Sequence, residues 1–176
     1  MSNINITGYP YLRTFNAKPG LRNGASMPNI ILVMVESYNA NVVMKKTPQG
    51  KEITPVFNSL IPRGVYVERF YGNSVQTCKG QAAVFLSVIP SIRGKIFNSF
   101  PYLSFKALPK ILREAGYETL FMQAARDLDF DSTMEFMKKA GFQHIHSAYE
   151  YLTDADAPLV WGWGPEDGLF YKISLR

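Results

Sequence analysis

The stretch Asn29-Ile30-Ile31-Leu32-Val33-Met34-Val35-Glu36-Ser37 is a continuous apolar run that ends in an acid and a hydroxyl. An apolar run rich in β-branched residues is typical of a strand buried on both faces of a parallel sheet. Glu36 then lies at the carboxyl end of that strand, and ligands of open α/β sheets bind beyond this edge. The stretch therefore predicts a fold class and the edge at which a site would lie.

The segments that follow alternate between helix and strand patterns. Helices are predicted at residues 54–61, 78–87, 104–115, 133–140 and 167–173, and strands at residues 65–71 and 117–122. This alternation is typical of an α/β domain with a largely parallel sheet, and right-handed crossovers place helices on both of its faces. Residues 1–27 contain several glycines and prolines, so we predict an extended arm or linker that leads into a domain at residues 28–176.

Composition limits the classes of function. A chain of 176 residues, 47% of them apolar, fits one domain with a substantial core. The net charge of +5 comes from dispersed basic residues rather than a basic stripe with interleaved aromatics, so no nucleic-acid partner is expected. A single cysteine, Cys78, excludes an intrachain disulfide framework and paired-cysteine zinc sites. No stretch approaches the roughly 20 apolar residues of a membrane span.

Glu36 and Thr77 are the residues whose positions suggest chemistry. A carboxylate at the sheet edge binds a hard divalent cation; alternatively, Glu36 is an ordinary strand-end acid that caps the next helix through Ser37 or Asn39. Thr77 lies between a polar loop and an apolar helix, whose N-terminus favours a bound anion. Its hydroxyl needs a metal or a base to act as a nucleophile, and alternatively Thr77 is only a helix N-cap.

Three other features have structural interpretations as well. Cys78 is a rival nucleophile, since a helix N-terminus and Lys79 can acidify its thiol, although no Cys-His pairing is visible nearby. His144 and His146 would share one face of a strand, a spacing that metal sites use, but no carboxylate or cysteine stands at a supporting interval. Residues 161–167 form either the wall of a ligand pocket or a packed turn before a terminal helix.

The order of these motifs resembles the alkaline phosphatase/sulfatase superfamily, and most closely its lipoteichoic-acid-synthase and phosphoglycerol-transferase branch. That branch opens its catalytic domain with an apolar strand ending in an acid and a serine, as at residues 33–37. A Thr-Pro-x-x-Asn-x-Leu helix follows, as at residues 54–60. Later segments with the same likeness are residues 108–117, 130–142 and 163–170. The resemblance implies an alkaline phosphatase-like fold and extends from residue 29 to the end.

The sulfatase signature fixes the register of the nucleophile. In that signature the nucleophile is followed by Ala-Ala five and six positions later and by Pro thirteen positions later. Counting from Thr77 reaches Ala82, Ala83 and Pro90, whereas counting from Cys78 breaks all three matches. The resemblance therefore implies that Thr77 is the nucleophile.

The resemblance also implies a metal, a substrate and partners. Glu36 and Thr77 would be two ligands of one divalent metal ion, Mn²⁺ first, with Mg²⁺ or Zn²⁺ as alternatives. Thr77 would attack the phosphorus of a lipid-linked phosphoglycerol and form a phospho-threonine intermediate. Asp131 and Trp163 would bind the substrate, which is an anionic lipid or glycan phosphodiester. The parent protein is expected at the extracytoplasmic face of the bacterial inner membrane.

The sequence departs from the family pattern at several points. The family completes its metal site with an Asp-His pair far along the chain, so we expect residues 28–176 to be the amino-terminal part of a catalytic domain, truncated and inactive without the remaining part. Gln123 stands where the lipoteichoic acid enzymes carry histidine, and Gln81 where sulfatases carry arginine. Alternatives are a degenerate homologue that binds an anionic headgroup or a partner without turnover, and a sulfatase-like hydrolase or phosphoethanolamine-type transferase.

Overall fold

Helices form most of the regular structure. The structure, a computed structural model, describes residues 27–94 and 105–175. Within these residues the α-helices, labelled α1 to α5 in chain order, are Pro55–Leu60, Thr77–Leu86, Leu108–Glu114, Thr133–Ala140 and Asp167–Ser174. Shorter 3₁₀ helices are Ala40–Val42, Ile61–Arg63, Phe130–Ser132, Ala148–Tyr151 and Asp154–Leu159.

The helix predictions are confirmed to within a few residues at each end, apart from the predicted start at Ser104, which lies outside the described residues. Helix α1 begins after Thr54 with Pro55 at its first position, where the missing N–H of proline costs nothing. Helix α4 ends at Gly141, whose φ of 105° is in the left-handed region. These boundaries follow from local chemistry, which is why the sequence predicts them.

Strands β1 (Leu120–Gln123) and β2 (His144–Ser147) form a parallel pair, with Leu120 opposite His144 and Gln123 opposite Ser147. Helix α4 lies between them in the chain, so β1, α4 and β2 form the βαβ unit expected of an α/β domain. A short antiparallel hairpin pairs β3 (Val160–Trp161) with β4 (Gly164–Pro165).

Two predicted strands are wrong. Residues 30–35 are irregular, and their side chains are between 42% and 74% exposed. Residues 65–71 are also irregular and turn at Glu68 and Arg69. An apolar run becomes a strand only when a neighbouring segment satisfies its N–H and C=O groups, and no other described segment pairs with either run.

The core lies among α2, α4 and β1. Its buried residues are Cys78, Ala82, Phe85, Ala107, Phe121, Phe136, Met137 and Ala140. The Phe142 ring packs against it, with centroids 5.2 Å from Phe85 and 5.5 Å from Phe121. Because Cys78 in the first turn of α2 and Phe121 in β1 share this cluster, the start of α2 packs beside the sheet.

The chain divides into two compact units, Met1–Tyr38 and Asn39–Arg176. In the first unit the structure describes residues 27–38, so the predicted arm lies outside the described residues apart from Met27. Glu36 belongs to the first unit and Thr77 to the second. None of the helices in the described ranges is long and apolar enough to cross a membrane.

Candidate active site

Thr77 and Cys78 are neighbours with opposite surroundings. Thr77 is the first residue of α2 and is exposed, whereas Cys78 is 4% exposed and belongs to the core. Gln76 is the N-cap, and its carbonyl accepts hydrogen bonds from the N–H groups of Lys79 and Gly80 at 3.1 and 3.0 Å. The alternative that Thr77 is an N-cap is therefore wrong. Thr77, and not the thiol, stands at the accessible end of the helix.

The sequence suggested Lys79 as a cation that acidifies the Cys78 thiol, but in the structure its side chain makes a hydrogen bond to the segment after α2. Its side chain is buried, and Nζ donates a hydrogen bond of 3.0 Å to the carbonyl oxygen of Ile92. This bond ties the segment that follows α2 back to the helix. This charged hydrogen bond positions the segment that follows α2. The same side chain places a cation in the first turn of the helix.

Glu36 is exposed and is the first residue of a turn in which Ser37 has a φ of 56°. The 3₁₀ helix that follows is capped by Asn39, whose Oδ1 accepts from the Asn41 N–H at 2.9 Å. Helix capping at this point is therefore done by the Asn39 side chain. The Glu36 carboxylate lies three residues earlier in the chain.

Gln123 ends β1 at the carboxyl edge of the sheet, and its side-chain amide is a feature that sequence reasoning underestimated. Its Nε2 is buried and contacts no hydrogen-bond acceptor among the described residues. Alternation along the strand places Gln123 on the same face as Phe121, which packs in the core with Cys78. A buried amide donor without a partner costs about 1–3 kcal/mol, so such a group usually has a ligand or a water as its acceptor.

Trp163 lies at the same edge of the sheet. It is 81% exposed, and its ring centroid is 6.0 Å from that of Phe130. Asp131 follows Phe130 in the 3₁₀ helix Phe130–Ser132, although its own side chain is outside the described structure. The structure thus brings Trp163 against the turn that carries Asp131. Phe130 is an additional contact that the sequence did not single out.

The two histidines occupy the outer face of β2 and each has a carboxylate partner. Their rings are stacked, with planes 7° apart and centroids 6.5 Å apart, which confirms that they share one face. His144 Nε2 is 2.7 Å from Glu118, and His146 Nδ1 is 2.8 Å from Glu150. Each carboxylate makes one hydrogen bond to a histidine, and among the described residues no group of three or more such side chains could hold a metal ion, in line with the sequence prediction; Glu118 reaches His144 through the parallel pairing of β1 and β2.

Glu150 also accepts a hydrogen bond of 2.8 Å from the Ser147 N–H, which completes a capping box at the 3₁₀ helix Ala148–Tyr151. The hydrogen bond with His146, and then the one from Ser147, lower the pKa of the Glu150 carboxyl below its ordinary value of 4.5. These bonds favour the charged form, so the group has a stabilising structural role.

Glu36 and Thr77 are donors of a chemical type that suits a divalent metal ion, but two donors are too few to hold one. A carboxylate at Glu36 and a hydroxyl at Thr77 are hard oxygen donors of the type that Mg²⁺ and Mn²⁺ prefer. Within the described ranges no group of three or more His, Cys, Asp or Glu side chains could hold a metal ion. A metal site that used either of these donors would therefore need ligands from elsewhere.

The profile of the sulfatase family matches residues 28–171. The chain belongs to the sulfatase family. It is similar to the lipoteichoic acid synthase-like protein YvgJ of Bacillus subtilis, with 31% identity over 122 residues that cover 68% of this chain and 19% of YvgJ. The predicted resemblance to the sulfatase superfamily and its lipoteichoic-acid-synthase branch is thereby confirmed.

Two solved structures share the fold of this sulfatase-family chain. The lipoteichoic acid synthase LtaP of Listeria monocytogenes matches with a TM-score of 0.69 and 22% identity over 78% of this chain. An alkaline phosphatase superfamily protein of Vibrio parahaemolyticus matches with a TM-score of 0.59 and 24% identity over 72% of this chain. These likenesses confirm the alkaline phosphatase-like α/β fold class. The chain spans 33% and 30% of those two proteins.

Proposed function

We propose that this chain carries the nucleophile of a metal-dependent transferase that moves a phosphoglycerol-type headgroup in the synthesis of a cell-envelope polymer. The observation that carries the proposal is the contrast at the start of α2, where Thr77 is exposed and Cys78 is buried. Membership of the sulfatase family and similarity to a lipoteichoic acid synthase-like protein support the class of reaction.

The proposed reaction begins at the Thr77 hydroxyl. Its Oγ1 loses its proton and forms a bond to phosphorus while the bond from phosphorus to the lipid oxygen breaks; the lipid oxygen takes up a proton and leaves as an alcohol, and Thr77 carries the phosphoglycerol group as a phospho-threonine. A hydroxyl of the acceptor then forms a bond to the same phosphorus and releases Thr77. The positive dipole end of α2 would stabilise the negative phosphoryl oxygens, and we propose the Gln123 amide as a further donor at the sheet edge.

Glu36 and Thr77 would hold one divalent metal ion, with Mn²⁺ proposed and Mg²⁺ or Zn²⁺ as alternatives. When bound, the ion supplies positive charge that lowers the cost of ionising the threonine hydroxyl and polarises a phosphoryl oxygen. Because two ligands make a weak site, we propose that the remaining part of the domain supplies the others. The substrate is an anionic lipid or glycan phosphodiester at the extracytoplasmic face of the membrane, and Asp131 and Trp163 contribute to its binding.

Substitution of Thr77 tests the mechanism in protein expressed from its complete natural reading frame. With fluorescent phosphatidylglycerol and Mn²⁺, we expect Thr77→Ala to lower turnover by at least about a thousandfold, because no covalent intermediate can form. Thr77→Ser should keep part of the activity. Intact-mass measurement and peptide mapping should find a phosphoglycerol adduct on residue 77 in the wild type and in Thr77→Ser.

Cys78→Ala is the matched control, since it alters the adjacent residue on the same helix. We expect it to keep activity and to lose only stability, because the thiol packs in the core. Full turnover by Thr77→Ala, or loss of the adduct in Cys78→Ala with retention in Thr77→Ala, would contradict the assignment of the nucleophile.

A second candidate is a homologue that binds an anionic headgroup without turnover. It is favoured by the observation that no three-ligand metal group exists among the described residues. In that case glycerol phosphate would bind equally with and without Mn²⁺, and no adduct would form on Thr77. A sulfatase-like hydrolase would instead cleave an aryl sulfate or pass the headgroup to water.

A further inference from the structure

Residues 88–94, the segment that follows helix α2, expose apolar side chains next to a cation. Ile89 is 89% exposed and Ile92 is 97% exposed, and the adjacent Arg93 is exposed as well. An isoleucine side chain is stabilised when it leaves water, so two of them on one short segment indicate a surface that another phase or molecule covers.

Two hydrogen bonds shape this segment. The Lys79 Nζ donates a bond of 3.0 Å to the carbonyl oxygen of Ile92, and the Ser91 hydroxyl donates a bond of 2.7 Å to the carbonyl oxygen of Arg93. The chain therefore returns at residue 92 to the first turn of α2, where Lys79 stands two residues after Thr77. The exposed apolar side chains are thus carried by a segment that is tied to the helix of the proposed nucleophile.

The charge of the surrounding sequence selects the kind of partner. No aspartate or glutamate occurs between Glu68 and Glu114, and this interval contains seven lysine or arginine residues. An excess of positive charge attracts an anionic surface, and a bilayer that contains anionic lipids has a negative surface potential. The charge is therefore complementary to such a bilayer.

The size of the segment favours a bilayer over a protein partner. A stable protein interface uses about 20–30 residues on each side, far more than residues 88–94 supply. A lipid boundary instead accommodates each apolar side chain separately, and a neighbouring cation adds attraction to the lipid phosphates. A peripheral contact with a membrane surface fits this segment.

We propose that residues 88–94 contact the surface of an anionic lipid bilayer, with Ile89 and Ile92 at the boundary between headgroups and acyl chains and Arg93 beside lipid phosphates. The contact holds the start of α2 at the membrane, so that a lipid-linked donor reaches Thr77 without leaving the bilayer. This delivery of a donor rests on the proposed function, because a donor exists only if Thr77 accepts a group. The contact itself is measured without turnover.

Sedimentation with vesicles measures the contact, using the full chain at submicromolar concentration, where self-association is weakest. We expect saturable binding to vesicles of equal parts phosphatidylglycerol and phosphatidylcholine, and at least about tenfold weaker binding to pure phosphatidylcholine. Raising NaCl from about 50 mM to about 500 mM should weaken binding to the anionic vesicles, because salt screens the attraction between the charges.

Two pairs of variants separate this contact from general adsorption. Ile92→Asp should weaken binding to the anionic vesicles by at least about tenfold, because a charge replaces an inserted apolar side chain. Its matched control is Val65→Asp, which makes the same change of charge at a residue that is 96% exposed and outside the segment. Arg93→Gln should weaken binding by about fivefold, with Arg63→Gln, at another exposed arginine, as its control. Both controls should bind nearly as the wild type does.

A fluorophore tests whether residue 92 enters the lipid. In a Cys78→Ala background, an environment-sensitive dye attached through Ile92→Cys should shift its emission to the blue when vesicles are added. A lipid that carries a nitroxide should quench the dye. The same dye attached through Val65→Cys should show neither change.

The outcomes distinguish this inference from the proposed function. Thr77→Ala should bind vesicles as the wild type does, and vesicle binding with no Thr77-dependent transfer would overturn the delivery of a donor. The contact is overturned if neutral and anionic vesicles bind equally, if Ile92→Asp and Val65→Asp have equal effects, or if the dye at residue 92 is not quenched. Thr77-dependent transfer from detergent-dispersed lipid would then leave the proposed function standing without the contact.

Discussion

Gly141 is the residue at which α4, β1 and α3 meet. Its φ of 105° ends α4, and its carbonyl oxygen accepts hydrogen bonds from Thr119 Oγ1 at 3.2 Å and Arg113 Nη1 at 3.4 Å. A Cβ at this position would lie 2.9 Å from the Cβ and backbone N of Lys110 in α3. Gly141 therefore combines a left-handed turn with a close approach between helices, and only glycine satisfies both.

We predict that Gly141→Ala lowers the free energy of unfolding by about 3 kcal/mol, as the sum of backbone strain and a steric clash. Gly50→Ala is the matched control, because Gly50 also has a positive φ of 80° but has no atom within 4 Å of an added Cβ. It should cost only about 1 kcal/mol of backbone strain. Chemical denaturation of both variants gives the two values. Equal losses would show that the contact with Lys110 relaxes freely.

The sequence predicts one of the two constraints on Gly141, the left-handed turn, but not the close contact with Lys110. A glycine after a lysine-rich helix end predicts a C-cap, as the sequence indicated for Gly141. The contact with Lys110 joins residues 31 positions apart and follows from packing. The same holds for Cys78, since its burial depends on helices and a strand that no local pattern specifies.

At the scale of elements, the capping box after β2 couples the end of a strand to the start of a 3₁₀ helix. Glu150 accepts hydrogen bonds from the Ser147 N–H and from His146, and His146 also contacts the Tyr151 ring at 5.6 Å. The serine-to-glutamate spacing is a recognisable sequence signal. The bond from His146 follows from the geometry of β2 and strengthens the preference for the charged carboxylate.

We predict that Glu150→Gln lowers stability at neutral pH by about 1 kcal/mol or less, because 45% of the side chain is exposed and water screens the charge. The pKa of Glu150 is lower in the folded chain than its ordinary value of 4.5, so its stabilising effect is complete above pH 4.5. The effect is lost as the pH falls through the lowered pKa. Denaturation curves at several pH values should therefore converge for wild type and variant in acid. A difference that is equal at neutral and strongly acidic pH would refute this account.

At the scale of the whole molecule, the second unit exposes apolar side chains from irregular segments on either side of α2. Val65, Val75 and Ile92 are almost fully exposed. β-Branched residues at such positions leave water when another surface covers them. We therefore expect the purified chain to self-associate as its concentration rises.

Val65→Lys should weaken this self-association by about tenfold, since it replaces a side chain whose burial contributes about 1.5 kcal/mol with a charge. Gln49→Lys adds the same charge at another exposed position and should have little effect. Sedimentation velocity across a concentration series measures both. A monomeric wild type at every concentration would contradict the prediction, and equal effects of the two lysines would assign the change to net charge.

The sequence by itself determined the helices, the family and the order of its motifs. Helix α1 after Thr54 and helix α4 before Gly141 form where capping residues predict them, because a helix satisfies its hydrogen bonds within its own segment. The count from Thr77 to Pro90 is likewise a property of the chain and needs no coordinates.

Only the tertiary structure decided which apolar segments became strands and which side chains meet. Residues 120–123 pair with residues 144–147, whereas the more apolar residues 30–35 remain irregular and exposed. The contact between Phe130 and Trp163 is equally absent from any local pattern. The physical reason is the same in each case: a strand or a ring contact is completed by a segment distant in the chain, and the fold decides which segment that is.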